Sequence, residues 1–350
     1  MKFYNYKSKT LIFRKNFSTG AKSLFLIISL CIISNTNAFS QTIQNRVAWL
    51  RNAKWGVMSH FLADWKAGEN NEKMSVEKWN EMINNFDVDG LADQLKSVGA
   101  GYFIFTIGQN SGYYLSPNNT YDKITGIYPS KCSKRDLISD LADALYKRGI
   151  KLVVYLPSGA PAGDKIAREA LKWENGPYKN QEFQINWQNI IIEWSLRWGN
   201  KVSGWWFDGC YWPSIMYRSC EEPNFKSFAD AARAGNPNSI VAFNPGVVYR
   251  SISLTPFEDY TAGEIDQPGR ISIKRSINGN IDGAQLHYLS FLGERWGMGS
   301  PRFTNNQVIE WSEMVRNEDG VITWDTPIGI NGLISYLFID QLKAIGEAIN

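Results

Sequence analysis

Residues 136–156 read DLISDLADALYKRGIKLVVYL, and this stretch decides the fold. Asp136–Arg148 carries apolar residues at helical spacing and stops at Gly149, a helix-ending residue. Lys151–Leu156 follows at once as a short apolar run, the pattern of a buried strand. A helix that hands over to a buried strand within two residues is part of a repeating α/β unit.

The unit recurs outward in both directions. Upstream, Trp55–His60 (WGVMSH) predicts strand one, Val88–Val98 a helix closed by Gly99, and Tyr102–Ile107 (YFIFTI) strand two. Downstream, the helix Trp187–Trp198 precedes strand four at Gly204–Asp208 (GWWFD), and the helix Phe225–Ala234 precedes strand five at Ser239–Phe243. Asp259–Glu264, Leu286–Phe291 and Val321–Trp324 give strands six to eight, with helices at Asn305–Arg316 and Ile334–Ile349. Eight strands alternating with helices over about 300 residues predict a single-domain α/β fold, a (β/α)8 TIM-type barrel. An open doubly wound sheet is the runner-up, but no GxGxxG follows the first strand and there is no P-loop. The barrel is expected to occupy residues 39–350, with no β-sandwich after its last helix.

The 350 residues are 44% hydrophobic and 20% charged, which excludes extended disorder, collagen and coiled coil. Lys2, Lys7, Lys9, Arg14, Lys15 and Lys22 precede any acidic residue, and Ser23–Ser34 (SLFLIISLCIIS) is apolar but too short to span a bilayer. Residues 1–38 therefore read as a secretory signal, cut after Ala38 or after Ser40. Its loss takes the formal charge of +3 down by six, to −3. The expectation is an exported protein, periplasmic or extracellular, with no membrane anchor after cleavage and no nucleic-acid partner. Cys132, Cys210 and Cys220 remain; Cys210–Cys220 closing a short loop and three buried thiols are both open readings.

Barrels of this type carry their chemistry at the C-terminal ends of the strands. That rule picks out His60, Asp64 and Trp65 after strand one, and Gln109, Asn110, Ser111 and Tyr113 after strand two. It also picks out Trp206 and Asp208, Glu264 and Asp266, Glu294 and Trp296, and Trp324 and Asp325. These are carboxylates, amides and aromatics with few cations, which suits a sugar better than a phosphate. With only two His in the chain, a His-rich metal site is not expected. Glycoside hydrolysis needs two carboxyl groups flanking the scissile bond. Asp208, ending a buried aromatic strand before Gly209, is the candidate nucleophile. For the proton donor Glu264 comes first, Glu294 second and Asp266 third; each also has a plain structural or surface reading.

In order along residues 45–349, the chain resembles the α-L-fucosidases of glycoside hydrolase family 29. The resemblance rests on Trp55-Gly56-Val57-Met58-Ser59-His60-Phe61, on Phe86-Asp87-Val88-Asp89 through Ala100-Gly101-Tyr102, and on Ser133-Lys134-Arg135-Asp136-Leu137. It continues through Trp206-Phe207-Asp208-Gly209, Glu294-Arg295-Trp296-Gly297 and Gly329-Ile330-Asn331-Gly332. It implies a retaining exo-glycosidase without a cofactor, in which His60 contacts a sugar hydroxyl, Asp208 is the nucleophile and Trp296 walls the pocket. Gln109-Asn110 stand where that family carries a His-His pair. Ala284-Gln285-Leu286-His287 stand near where many members supply the acid from a Trp-Glu. The expected function is removal of terminal α-L-fucosyl or related sugars from an oligosaccharide or glycan. A catalytically inactive carbohydrate-binding barrel, and an exo-glycosidase for a different deoxy sugar or pentose, are the alternatives.

Overall fold

The apolar runs form the strands of one parallel sheet. The computed structural model describes residues 43–69, 73–273 and 276–350; the signal-like residues 1–38 lie outside them. The strands are β1 (Trp55–Ser59), β2 (Tyr102–Thr106), β3 (Lys151–Pro157), β4 (Gly204–Asp208), β5 (Ile240–Phe243), β6 (Asn280–Ile281), β7 (Ala284–Gln285), β8 (His287–Phe291) and β9 (Val321–Asp325). Seven of them make one sheet in the order β5-β4-β3-β2-β1-β9-β8, and β6 pairs with β7 as a small antiparallel hairpin. The five neighbouring pairs β1–β2, β2–β3, β3–β4, β4–β5 and β8–β9 are parallel, as is β1–β9. Parallel neighbours need crossovers, and the intervening helices supply them.

The expected sixth strand, Asp259–Glu264, is not a continuous strand. It touches β7 and β8 through single parallel bridges, Tyr260 to Gln285 and Glu264 to Leu289. The cause is Gly263, whose left-handed backbone (φ 64°) breaks the extended path. A side chain there would collide with the His287 carbonyl. The segment still spans the gap in the ring. Asp259 N–H donates to Val241 O at 2.8 Å on the β5 side, and Leu289 N–H donates to Gly263 O at 2.9 Å on the β8 side. The result is a curled α/β sheet of the TIM-like barrel kind.

Alternation along the strands separates two apolar layers. Met58, Ile104, Val153, Tyr155, Trp206, Ala242 and Leu289 point inward and form one cluster. Val57, Phe103, Phe105, Val154, Trp205 and Phe207 point outward into the larger cluster under the helices. The helix over residues 43–53 adds Ile43, Val47 and Leu50 to the inner cluster from one face. Arg46 at 2.7 Å and Arg233 at 2.5 Å both pair with the buried Asp259, fixing where the broken sixth segment begins.

Several short helices were not evident from periodicity: Ala63–Glu69, Val76–Asn84, Asn119–Thr125, Lys165–Leu171 and Pro213–Met216. Caps define three of them. The side chains of Ser75, Asn118 and Asp164 accept from the N–H groups of Lys78, Tyr121 and Ala167. The expected helix at Trp187 begins earlier and runs Gln181–Trp198. All three thiols are free; Cys132 and Cys210 are buried, but Cys220 is exposed rather than buried.

Candidate active site

The mouth of the barrel holds a pocket lined by Met58, His60, Trp65, Gln109, Tyr155, Trp206, Asp208, Glu264, Leu289 and Trp296. Its empty volume of about 400 Å³ lies near the small end of ligand sites. Strand parity explains the lining. Tyr155 and Trp206 are register partners on neighbouring strands and stack at 5.4 Å. Two residues beyond Trp206 on the same face, Asp208 reaches the mouth.

Asp208 is held by three donors. Tyr155 O–H donates to Oδ2 at 2.6 Å, and Gly209 N–H and Asn244 Nδ2 each donate to Oδ1 at 2.8 Å. Gly209 adopts φ 80°, and this tight turn brings its N–H back onto the Asp208 side chain. Tyr155 O–H in turn accepts from Gln109 Nε2 at 2.6 Å. Burial and the Asp208 charge push the Tyr155 phenol well above its usual range, so it remains a donor.

Glu264 stands across from Asp208. Asn244 Nδ2 donates to Glu264 Oε2 at 2.5 Å as well as to Asp208 Oδ1. Two bonds meeting at one nitrogen, 2.8 Å and 2.5 Å long, place those oxygens no farther apart than the two lengths together. Glu264 is pushed up to about 7, chiefly by burial and then by the Asp208 charge; the Asn244 bond and His60 pull the other way.

His60 is oriented from below. Its Nδ1 lies 2.8 Å from Oδ1 of the buried Asp325, whose Oδ2 accepts from Gly297 N–H at 2.6 Å. The imidazole sits among aromatic walls, 5.1 Å from Trp65 and 6.1 Å from Trp296, centroid to centroid. Trp206 is held by its indole N–H, which donates to Ala262 O at 3.1 Å.

The structure thus brings together His60, Trp65, Gln109, Trp206, Asp208, Glu264 and Trp296. It leaves the other expected site residues outside the pocket. Glu294 is exposed on the loop after β8. Asp64, in the first turn of the short helix Ala63–Glu69, is exposed and does not line the pocket. Asn110 is exposed beside Gln109, to which it donates at 3.3 Å. Tyr113 is used in packing, edge-on to Trp79 with its O–H donating to Met74 O at 3.2 Å. Asp266, the third carboxyl, accepts from Tyr249 O–H and does not line the pocket. Sequence reasoning missed Tyr155 and Asn244, and gave no role to Asp325.

A barrel whose mouth holds two close carboxyl groups among aromatic walls is the architecture of a glycoside hydrolase. The chain belongs to the α-L-fucosidase family, whose sequence profile matches residues 34–288. No curated protein sequence matches it. Among solved structures it is similar in fold to an endo-fucoidan hydrolase of glycoside hydrolase family 107, with 18% identity and a TM-score of 0.67 over 86% of this chain and 53% of that one. It is also similar to α-L-fucosidase isoenzyme 1 from Paenibacillus thiaminolyticus, with 18% identity and a TM-score of 0.59 over 87% of this chain and 75% of that one. An α-L-fucosidase from Lactobacillus casei in complex with its fucose product gives 15% identity and a TM-score of 0.58 over 87% and 98%. The chain spans about half the length of the fucoidan hydrolase it matches.

Proposed function

We propose that this chain is an exported retaining exo-glycosidase that removes terminal α-L-fucosyl or related sugars from glycans. The carrying observation is the pair Asp208 and Glu264, bridged by one amide nitrogen of Asn244 at 2.8 and 2.5 Å. Asp208 attacks C1 as the bond to the leaving oxygen breaks, and Glu264 gives that oxygen its proton. Glu264, now a carboxylate, takes a proton from water; the water oxygen bonds to C1 and Asp208 departs. Asp208 Oδ2 accepts one bond from Tyr155, which leaves its second lone pair for the sugar. The apolar floor of Met58 and Leu289 suits a sugar that carries a methyl in place of a hydroxymethyl. Export rests on the sequence of residues 1–38.

A different deoxy sugar or pentose is the second reading. Gln109, facing the pocket where the family carries His, favours it. A screen of aryl glycosides, α-L-fucoside first, separates the two sugars. Asp208→Ala should abolish turnover, and azide should restore it as a glycosyl azide of inverted anomeric configuration. Wild-type turnover in Asp208→Ala would overturn the mechanism. A wild-type protein that binds sugars but turns over no glycoside would leave a binding barrel.

A further inference from the structure

A chain of hydrogen bonds runs from the loop after β2 to Asp208. Asn110 Nδ2 donates to Gln109 Oε1 at 3.3 Å, Gln109 Nε2 to Tyr155 Oη at 2.6 Å, and Tyr155 O–H to Asp208 Oδ2 at 2.6 Å. Tyr155 has one hydroxyl hydrogen to give, and the carboxylate takes it. Its other neighbour must then be a donor, which fixes the Gln109 amide with its nitrogen toward Tyr155 and its oxygen toward Asn110. Every bond in the chain points toward Asp208, so each polarises the next.

The parts of this chain are held without any substrate. Tyr155 is buried, its ring stacked on Trp206 at 5.4 Å with His60 edge-on at 5.6 Å. The Gln109 loop is pinned by its backbone: Gly112 N–H donates to Gln109 O at 3.2 Å, and Gly163 N–H donates to Asn110 O at 2.8 Å. Asp208 Oδ1 already accepts from Gly209 and Asn244, so Oδ2 is the oxygen left to react, and Tyr155 is the donor on it. Gln109 thus bonds the protein at both ends of its amide, although it faces the pocket.

We propose that Gln109 is a positioning residue: it acts on the reaction through Tyr155, by holding that hydroxyl on the reacting oxygen of Asp208, and not by gripping the sugar. The inference rests on the reading of Asp208 as the nucleophile. It goes beyond that reading by giving the position where the family carries His a different task.

The test is a double-mutant cycle on the aryl glycoside that the wild type cleaves best, with aryl α-L-fucoside tried first. Gln109→Met keeps the length of the side chain but removes the donor; it should lower kcat about 5–10-fold and leave KM unchanged. Tyr155→Phe should lower kcat about 10–100-fold. In the Tyr155→Phe background Gln109→Met should cost less than about twofold, because the hydroxyl it serves is gone. Calorimetry with the free sugar should give the same Kd for the wild type and Gln109→Met. A melting temperature equal to the wild type excludes misfolding, and Gln109→Glu, which sets an acceptor against the Tyr155 hydroxyl, is the second variant if Gln109→Met unfolds. A loss undiminished in the Tyr155→Phe background, a raised KM at unchanged kcat, or weaker binding of the free sugar would mean direct contact with the sugar and overturn the proposal. Wild-type kinetics in Gln109→Met would overturn it too. If Asp208→Ala is inert, such results end this proposal alone; wild-type turnover in Asp208→Ala, or a wild type that cleaves no glycoside, ends the nucleophile reading with it.

Discussion

Asn244 donates to Glu264 at 2.5 Å from the same nitrogen that reaches Asp208 at 2.8 Å. One donor thus lies between two carboxyl groups that repel each other when both are charged. The bond favours the charged form of Glu264 and opposes the upward push of burial. Asn244→Ala should therefore move the basic limb of the pH profile of kcat/KM to higher pH. It should also lower kcat/KM at the optimum by about 10–100-fold, the worth of a buried hydrogen bond to charge. An unmoved basic limb would show that Asn244 does not tune the acid.

Glu264 is pushed up to about 7. A proton donor must be protonated before it acts, so kcat/KM for a natural glycan should fall as pH rises through about 7. Glu264→Ala should lower turnover of such a glycan by about 10²–10⁴-fold and flatten that limb. An aryl glycoside with a good leaving group needs little protonation, so its glycosylation step should suffer much less. Equal losses on both substrates, measured by pre-steady-state release of the aryl group, would remove Glu264 from the donor role.

Stability should follow pH through a second buried carboxyl. Glu258 is pushed up to about 8 by burial, although Leu254 N–H donates to it at 2.8 Å. Between its ordinary value near 4.5 and about 8 the folded chain holds this proton and the unfolded chain does not. Stability from this group is then fully present below about 4.5 and is lost progressively as pH rises through about 8. Melting temperatures from pH 5 to 9 should decline in the wild type and decline less in Glu258→Gln. Parallel curves would rule out Glu258 as the source.

Much of this site was legible in the sequence, and the gaps have physical causes. The Trp-Trp-Phe-Asp run places Asp208 and Trp206 on one face because strand alternation has a period of two. The same parity would have placed Tyr155, which pairs in register with Trp206 and so faces the pocket too. Asn244 directly follows Phe243, the end of β5, where strand-end reasoning applies as it did for Gln109 and Asn110, but no candidate was taken from the end of that strand. Glu294 and Asp64 were beyond such rules. Both follow strand ends in loops or short helices whose direction depends on caps and tertiary contacts rather than on periodicity. The sixth segment was visible as a strand but not as a broken one, since the close approach of Gly263 to the His287 carbonyl is a tertiary event.

Asp325 is the residue whose role only the fold reveals. It is fully buried, and its two oxygens are spent on His60 Nδ1 and Gly297 N–H. The first bond sets the rotation of the imidazole; the second ties down the loop that carries Trp296. Asp325→Asn keeps the shape but replaces one acceptor with an amide N–H, which would face either the His60 ring or the Gly297 N–H. If His60 contacts a sugar hydroxyl, the variant should lower kcat/KM by about 10–100-fold. A misplaced sugar contact should appear mainly as a higher KM, with the basic limb assigned to Glu264 retained. The fluorescence difference between chains with and without Trp296→Phe isolates Trp296, 6.1 Å from the His60 ring, and reports the loop separately. Wild-type kinetics in Asp325→Asn would mean that neither His60 nor the loop needs this carboxylate, and the proposed sugar contact of His60 would lose its structural support.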